Sequence, residues 1–379
     1  MKNPFVFGKI ADKTNFCNRK EEIKYLLQNI ANGFSIWLFA PRRYGKSSLI
    51  KQVFNKNQKN IKTIYFDFYN VQSIDDFSRK YSNTIAKELF NWKEDVKKIS
   101  KQLGKYLLRL QPQLNFDINA SPTISLGNKE IVEQIDIEEI LNLPQRIAEE
   151  RNIQICIAFD EFQEIARIDK FLINWMRSVF QNQKNISYVF LGSKQSLMEN
   201  IFSNINSPFY EYALKMDIKP IARKELYKFI SDKFVGQNLT IATKTINDIL
   251  NYSNCHPHFT QYFASVVFDE IRNGSSEKGK QFKETWMEKI IDSQSVIFQN
   301  IYDMLNNNQR KILLALSNST EGIFSNAIRK KYNLTTSSTL STNIKSLIQK
   351  DLIYKDGNLY KLSNPVFNNW IKAISKNNN

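Results

Sequence analysis

The sequence has little of what metal centres and disulfide frameworks are made from, with three cysteines and two histidines among 379 residues. Cys17, Cys156 and Cys255 lie far apart. No C-x-x-C pair occurs, which argues against a structural zinc site and a disulfide-stapled scaffold and fits a reducing compartment. Cys156 sits inside the apolar run Ile155–Phe159 and reads as a core residue. Both histidines fall in His256-Pro257-His258. Side chains two apart on a helix diverge, so a helix start with proline in its first turn is favoured over a metal pair. There is no Ser/His/Asp arrangement. Long hydrophobic runs are also missing. The longest, Ile36–Ala40 and Ile155–Phe159, fall far short of the roughly 20 residues that span a bilayer. The N-terminus carries Lys2, Lys9, Asp12 and Lys13 with no long apolar stretch between them, so no ordinary signal peptide is expected. These absences predict a soluble, cytoplasmic protein without a membrane role.

Hydrophobic residues make up 42% of the chain, enough to bury a substantial core, and the length allows two or three domains. The formal net charge is +16. Such an excess attracts nucleic acid or an anionic surface, while the abundance of Lys, Asn and Ile equally fits codon usage rich in A·T.

Short β-rich runs recur at Ser35–Phe39, Thr63–Phe66, Ile155–Phe159, Ser187–Leu191 and, more weakly, Leu214–Ile218. Their continuous hydrophobicity predicts strands buried on both faces, and helix-length segments such as Ile135–Glu150 and Phe171–Gln181 lie between them. The pattern is that of an α/β protein with a three-layer parallel sheet. Gln111–Gly127 breaks the rhythm with Pro112, Pro122 and Gly127 and reads as an inserted hairpin on the sheet's rim. Beyond Pro220, helices are expected over Arg223–Phe234, Ile241–Tyr252, Pro257–Arg272 and Phe282–Phe298. The C-terminal part carries helices at Gln309–Ser317, Ser325–Tyr332 and Thr336–Lys350, then a hairpin turning at Lys355–Asn358. Three helices and a hairpin describe a winged helix. Asn306–Asn308 reads as a loop and Asn377–Asn379 as a frayed end. The domains expected are therefore 1–219, the sheet-bearing core with an insertion at about 95–135, then 220–304, a helical domain, and 305–379, the winged helix. No internal repeat is evident.

The residues with chemistry begin at Ala40-Pro41-Arg42-Arg43-Tyr44-Gly45-Lys46-Ser47, between a buried strand and the helix that opens with Ser48-Leu49-Ile50. A phosphate loop needs strand, tight turn and helix N-terminus in that order, so that backbone N–H groups converge on the phosphates. Gly45 permits close backbone approach, Lys46 reaches the β/γ-phosphates, and the Ser47 hydroxyl is placed to ligate Mg²⁺. Ala40 replaces the first glycine of G-x-x-x-x-G-K-[ST], so the turn must begin with ordinary dihedrals. Arg42 and Arg43 clamp phosphate oxygens on one reading and are solvated on the other. The strand Ile155–Phe159 delivers Asp160-Glu161 at its end. Asp160 there suits Mg²⁺, directly or through water, and Glu161 suits polarisation of an attacking water. Ser193, at the tip of a third strand, either senses phosphate and positions water or caps the following helix. A base-recognition motif of the N-K-x-D kind is absent at the matching place, which favours adenine over guanine.

Together these residues resemble the archaeal-type P-loop ATPases of the AAA-like/STAND group. The matching boxes are Asn3-Pro4-Phe5, Phe16-Cys17-Asn18-Arg19-Lys20-Glu21-Glu22-Ile23, Pro41–Ser47, Asp160-Glu161-Phe162-Gln163-Glu164, Gly192-Ser193 and Ser207-Pro208-Phe209-Tyr210. The resemblance spans nearly the whole chain. It implies a nucleotide-binding core under a helical lid, with Phe16–Arg19 near the adenine and the Pro257 region closing the site. Two positions depart from the family pattern. The small-Gly-Pro turn reads Asn254-Cys255-His256-Pro257, and Glu211-Tyr212 stands where Gly-Arg is common, which implies slow hydrolysis if that arginine assists in relatives.

Two functions are compatible with these features. In one, the winged helix docks on duplex DNA, with Ser338, Ser341, Thr342 and Lys345 on its third helix and Lys355 and Lys361 on its wing. In the other, the protein is a nucleotide-gated switch or scaffold for protein partners or for a homo-oligomer, and hydrolysis is a slow reset.

Overall fold

The computed structural model describes residues 1–11, 14–56, 61–89, 112–116, 122–126, 134–218, 220–277, 280–319 and 321–377. The chain divides into two compact units, one of Lys20–Ala40 with Lys46–Ile218, the other of Met1–Arg19, Pro41–Gly45 and Lys219–Asn379.

The first unit is built on a five-stranded parallel sheet of β1 (Ile36–Phe39), β2 (Ile61–Asp67), β5 (Gln154–Asp160), β6 (Ile186–Gly192) and β7 (Leu214–Asp217), in the order β2-β5-β6-β1-β7. Burial follows position in that order. All seven residues of β6 and six of the seven in β5 are buried, because both strands are covered on two faces. The outer strand β2 instead alternates at its end, Ile64 and Phe66 turning into the core while Tyr65 and Asp67 lie on the other face. Helices flank the sheet: α1 (Lys20–Ala31), α2 (Lys46–Lys56), α3 (Ile74–Leu89), α4 (Gln134–Arg151), the short α5 (Ile165–Ile168), α6 (Leu172–Phe180) and α7 (Gln195–Phe202). In α1 the buried Ile23, Leu26 and Ile30 recur at helical spacing, and Glu21 and Glu22 occupy the first turn, where negative charge complements the helix dipole. One side of the sheet carries an aromatic core. Phe159 lies within about 6 Å of the rings of Phe66, Tyr81, Phe180, Tyr188 and Phe190. The insertion does contain an antiparallel hairpin, β3 (Pro112–Phe116) with β4 (Pro122–Leu126). The rest of the expected insertion, 95–111, 117–121 and 127–133, lies outside the described residues.

The second unit is helical. It comprises α8 (Arg223–Val235), α9 (Thr243–Tyr252), α10 (Pro257–Arg272), α11 (Lys280–Asp292), α12 (Ser295–Asp303), α13 (Asn307–Asn318), α14 (Asn326–Lys331), α15 (Ser337–Gln349) and α16 (Pro365–Asn377), with the hairpin β8 (Ile353–Asp356) and β9 (Leu359–Leu362). A single hydrophobic cluster runs from Phe5, through Ile230, Phe263 and Trp286, to Leu313, Ile344 and Trp370. Helices α13 to α15 and the hairpin form the expected winged helix.

Several details differ from the sequence reading. The helix expected over Phe282–Phe298 is two, broken at Ser293-Gln294, where both backbone N–H groups close the last turn of α11. Asn306 is no loop residue but the N-cap of α13, its side chain accepting from Gln309 N–H while Gln309 answers back. Lys355 and Asp356 belong to strand β8, leaving a two-residue turn at Gly357-Asn358 with Gly357 at φ 59°. A further helix, α16, follows the hairpin, and Asn377 is its last residue. Among the described residues no helix is long and apolar enough to cross a membrane.

Candidate active site

Four neighbouring strands of the sheet unit end side by side, β2 at Asp67, β5 at Asp160, β6 at Gly192 and β1 at Phe39, just before Ala40. Ligands of open parallel sheets bind at such carboxyl ends. Lys46 and Ser47 open α2, as a phosphate-binding helix requires. Lys46 is buried, 6% exposed, and its Nζ donates to the Ala40 carbonyl at 2.9 Å. The Ser47 hydroxyl donates to Asp160 Oδ2 at 2.6 Å across 113 residues of sequence. Ser48 is buried in the same turn. Asp160 accepts again at Oδ2 from the Tyr65 phenol and at Oδ1 from the Glu161 N–H, 2.9 Å away.

Glu161 adopts a left-handed conformation, φ 50° and ψ 41°. For a residue with a Cβ this costs about 1–2 kcal/mol and persists only where the surroundings hold it. They do so through its carboxylate, which accepts from Ser193 Oγ at 2.6 Å and from the Gln163 amide. Gly192 makes room for that amide. A Cβ there would lie 2.3 Å from Met198 Sδ and 2.7 Å from Gln163 Oε1. Ser193 is therefore engaged with Glu161, and the N-cap of α7 is Lys194, without a side-chain cap. Lys194 itself pairs with Glu164 at 3.1 Å, and Arg167 takes the other oxygen of that carboxylate at 2.7 Å. Although burial opposes it, these two cations hold the Glu164 carboxyl below its ordinary range.

The loop residues Pro41–Gly45 group with the helical unit. Ala40 keeps an ordinary φ, and the left-handed positions are Arg43 at 62° and Gly45 at 88°. No atom lies within 4 Å of where a Gly45 Cβ would stand, so backbone conformation rather than crowding selects glycine. The Tyr44 N–H donates to the Pro41 carbonyl at 3.3 Å, closing the turn. Arg42 pairs with Asp351 at 3.4 Å and Tyr44 shares a hydrogen bond with the Tyr354 phenol. The buried Tyr44 ring meets His256 edge to face at 4.6 Å, and Arg43 Nη1 lies 3.5 Å from His258 Nε2. His256 caps α10, with Pro257 at the first helical position, as the sequence favoured. Phe16 is half-buried and Arg19 is buried in a left-handed conformation at φ 73°, while Cys17 between them donates to the Glu225 carbonyl at 3.7 Å.

A family model described as an ATPase domain predominantly from Archaea matches residues 16–259. The chain belongs to this family. A winged helix domain model matches residues 296–373 of the ATPase-family chain. Among solved structures it is similar to the Walker-type ATPase of Pyrococcus abyssi, with 17% identity, a TM-score of 0.65, and 95% of this chain and 97% of that one covered. It is also similar to the ORC2 protein of Aeropyrum pernix, solved in ADPNP–ADP complexes, with 14% identity, a TM-score of 0.54, and 98% and 99% covered. No curated protein sequence gives a significant match. These similarities establish the fold.

Two of the residues that complete the carboxylate cluster, Tyr65 and Asp67, were not singled out from the sequence. Asp67 stands opposite Asp160 in the strand register. Burial first, then the charges of Asp160 and Glu161, push its carboxyl up despite a hydrogen bond from Tyr69 N–H.

The histidines carry a pH dependence. Burial, with the neighbouring His258, pushes His256 down to about 3, and burial with Arg43 pushes His258 down to about 4. The folded chain holds both rings neutral, whereas the unfolded chain protonates near pH 6.5. Their contribution to stability is therefore full above pH 6.5 and declines as pH falls toward 4 and then 3, by up to about 1.4 kcal/mol per unit for each ring. Thermal melting should fall between pH 7.5 and 5, and His256→Gln should flatten that slope. A slope identical in wild type and His256→Gln would show that the ring is not held neutral.

Proposed function

We propose that the chain binds Mg-ATP through Ala40–Ser47 and Asp160, hydrolyses it with Glu161 as general base, and couples nucleotide state to a conformational change while acting on duplex DNA. The observation that carries the nucleotide reading is the convergence of Lys46, Ser47, Asp160, Glu161 and Ser193 at adjacent strand ends. Phosphate would be held by the N–H groups at the start of α2, by Lys46, and by Arg42 and Arg43 on the loop. Phe16, Arg19 and Pro257 are assigned to the nucleotide from the family resemblance.

The residues suit Mg²⁺ in particular. This cation keeps several waters and takes few protein ligands, the rest coming from phosphate oxygens. The hydroxyl of Ser47 donates its hydrogen bond to Asp160, leaving its oxygen lone pairs for a cation. Bound there, Mg²⁺ would neutralise charge developing on the phosphates. The part of this chain is to bind, orient and accept a proton. Lys46 supplies fixed positive charge in a buried setting, and Glu161, held by Ser193 and Gln163, takes the proton of an attacking water.

The DNA reading is supported by the winged helix and by its exposed cations. Lys345, Lys355 and Lys361 are exposed, as are Lys330 and Lys331 at the end of α14, which the sequence reading had not included. Lys361 is tied to Asp356 at 2.6 Å, and the Ser341 and Thr342 hydroxyls turn back onto carbonyls of their own helix. That weakens direct base reading by this face and favours phosphate contacts.

One observation favours the switch reading. Loop residues Arg42 and Tyr44 contact Asp351 and Tyr354 of the winged helix. Phosphate on the loop would compete for Arg42, so occupancy would bias the winged helix without any DNA.

Anisotropy of a labelled duplex and light scattering, each with and without Mg-ATP, separate the readings. The DNA reading expects binding that weakens steeply with salt. No binding at low salt, with a scattering mass that changes with ATP, would replace it by the switch.

A further inference from the structure

Asp160 is more tightly held than an acidic strand end needs to be. Its Oδ2 accepts both the Ser47 hydroxyl, at 2.6 Å, and the Tyr65 phenol, and its Oδ1 accepts the Glu161 N–H. The second of these donors reaches over from the neighbouring strand. In the parallel register Tyr65 stands opposite Ala158 and Asp67 opposite Asp160, so all four residues share one face of the sheet. Ile64 and Phe66, alternating with Tyr65, enter the aromatic core instead. The Tyr65 ring is half-buried, with Lys51 Nζ 5.8 Å from its centroid. Phenylalanine would serve strand propensity and packing at this position equally well. The hydroxyl is what packing leaves unexplained.

We propose that Tyr65 is a positioning residue for the divalent cation, fixing Asp160 against Ser47 so that the Ser47 oxygen is presented with its proton already committed. The proposal rests on the Mg-ATP reading above. Without the phenol, Asp160 Oδ2 keeps one donor instead of two and its carboxylate can rotate away from Ser47. The cost should fall on cation binding and spare contacts made by the loop and Lys46.

The test is equilibrium binding of a fluorescent ADP derivative to the full chain, in EDTA and across a Mg²⁺ titration. Tyr65→Phe keeps the ring. It should bind the probe in EDTA within about twofold of wild type, while the half-saturating Mg²⁺ rises about tenfold, the scale of one charge-assisted hydrogen bond. On an Asp160→Asn background the same change should add less than about twofold, because the two residues act as one unit. Asp67→Asn, on the same face, should alter Mg²⁺ affinity in a way that fades with added KCl, whereas the Tyr65 effect should persist. Equal Mg²⁺ half-saturation in wild type and Tyr65→Phe overturns the proposal and leaves the nucleotide site standing. So does a loss of probe binding in EDTA equal to that in Mg²⁺, since a merely structural role would move both. Binding by the wild type that ignores Mg²⁺ overturns the parent reading and this one together.

Discussion

Lys46→Ala should weaken nucleotide binding by about two orders of magnitude, as expected when a buried, charge-assisted phosphate contact is removed. Lys46 is placed for this effect by three circumstances. It is the first residue of α2, where backbone N–H groups and the positive end of the helix dipole add to its charge. It is 6% exposed, so water does little to screen it. Its Nζ rests on the Ala40 carbonyl at 2.9 Å, a neutral acceptor that phosphate oxygens would outbid. Alanine is a strong helix former, so α2 should survive the change. The check is titration of the fluorescent nucleotide against wild type and variant, with circular dichroism showing the same melting profile. Undiminished binding by Lys46→Ala would mean that the phosphates lie elsewhere.

The second large effect separates binding from chemistry. Glu161→Gln should bind ATP about as well as wild type and lose turnover by roughly 10²- to 10⁴-fold, the usual worth of a general base. The substitution keeps size and shape, and an amide oxygen can still accept the Ser193 hydroxyl now found 2.6 Å from Oε2. What it cannot do is take a proton. The left-handed backbone at residue 161 is unaffected by the swap, since strain there arises from the Cβ that both residues share. Rapid-mixing measurement of bound ATP and released phosphate in one sample reads both quantities. Loss of both together would instead make Glu161 part of the binding surface.

Much of this was legible because the informative residues are adjacent in sequence. Ile36–Phe39 followed by Gly45-Lys46-Ser47 declares a strand, turn and helix locally, and Ile155–Phe159 announces both a central strand and the carboxylates at its end. Ala40 also behaves as its chemistry demands, leaving the left-handed positions to Arg43 and Gly45. Tyr65 and Asp67 were not legible for the opposite reason. Their significance depends on β2 lying beside β5, a pairing across about ninety residues that no local pattern encodes. Gln163 stood inside the Asp160–Glu164 box, yet its role needs the absent Cβ of Gly192 on another strand. Two misses were readable. Asn306 and Gln309 carry the spacing of a capping box, and Val366, Phe367, Trp370 and Ile371 mark an apolar helical face after Pro365.

The departure at Glu211-Tyr212 also has a structural setting. Tyr212 packs against the Phe209 and Phe190 rings and under the Arg177 guanidinium, 4.8 Å from its ring, and Glu211 takes a left-handed turn at φ 52°. A position filled by a partly buried aromatic contributes no cation to phosphate.

The measurement that bears most directly on the account is phosphate release from ATP in Mg²⁺ by wild type and Glu161→Gln, with bound nucleotide quantified on the same samples, with and without duplex DNA. Release by the wild type, together with Glu161→Gln retaining intact ATP, is the predicted result. Equal release from the two proteins, or ATP bound by neither, would contradict it.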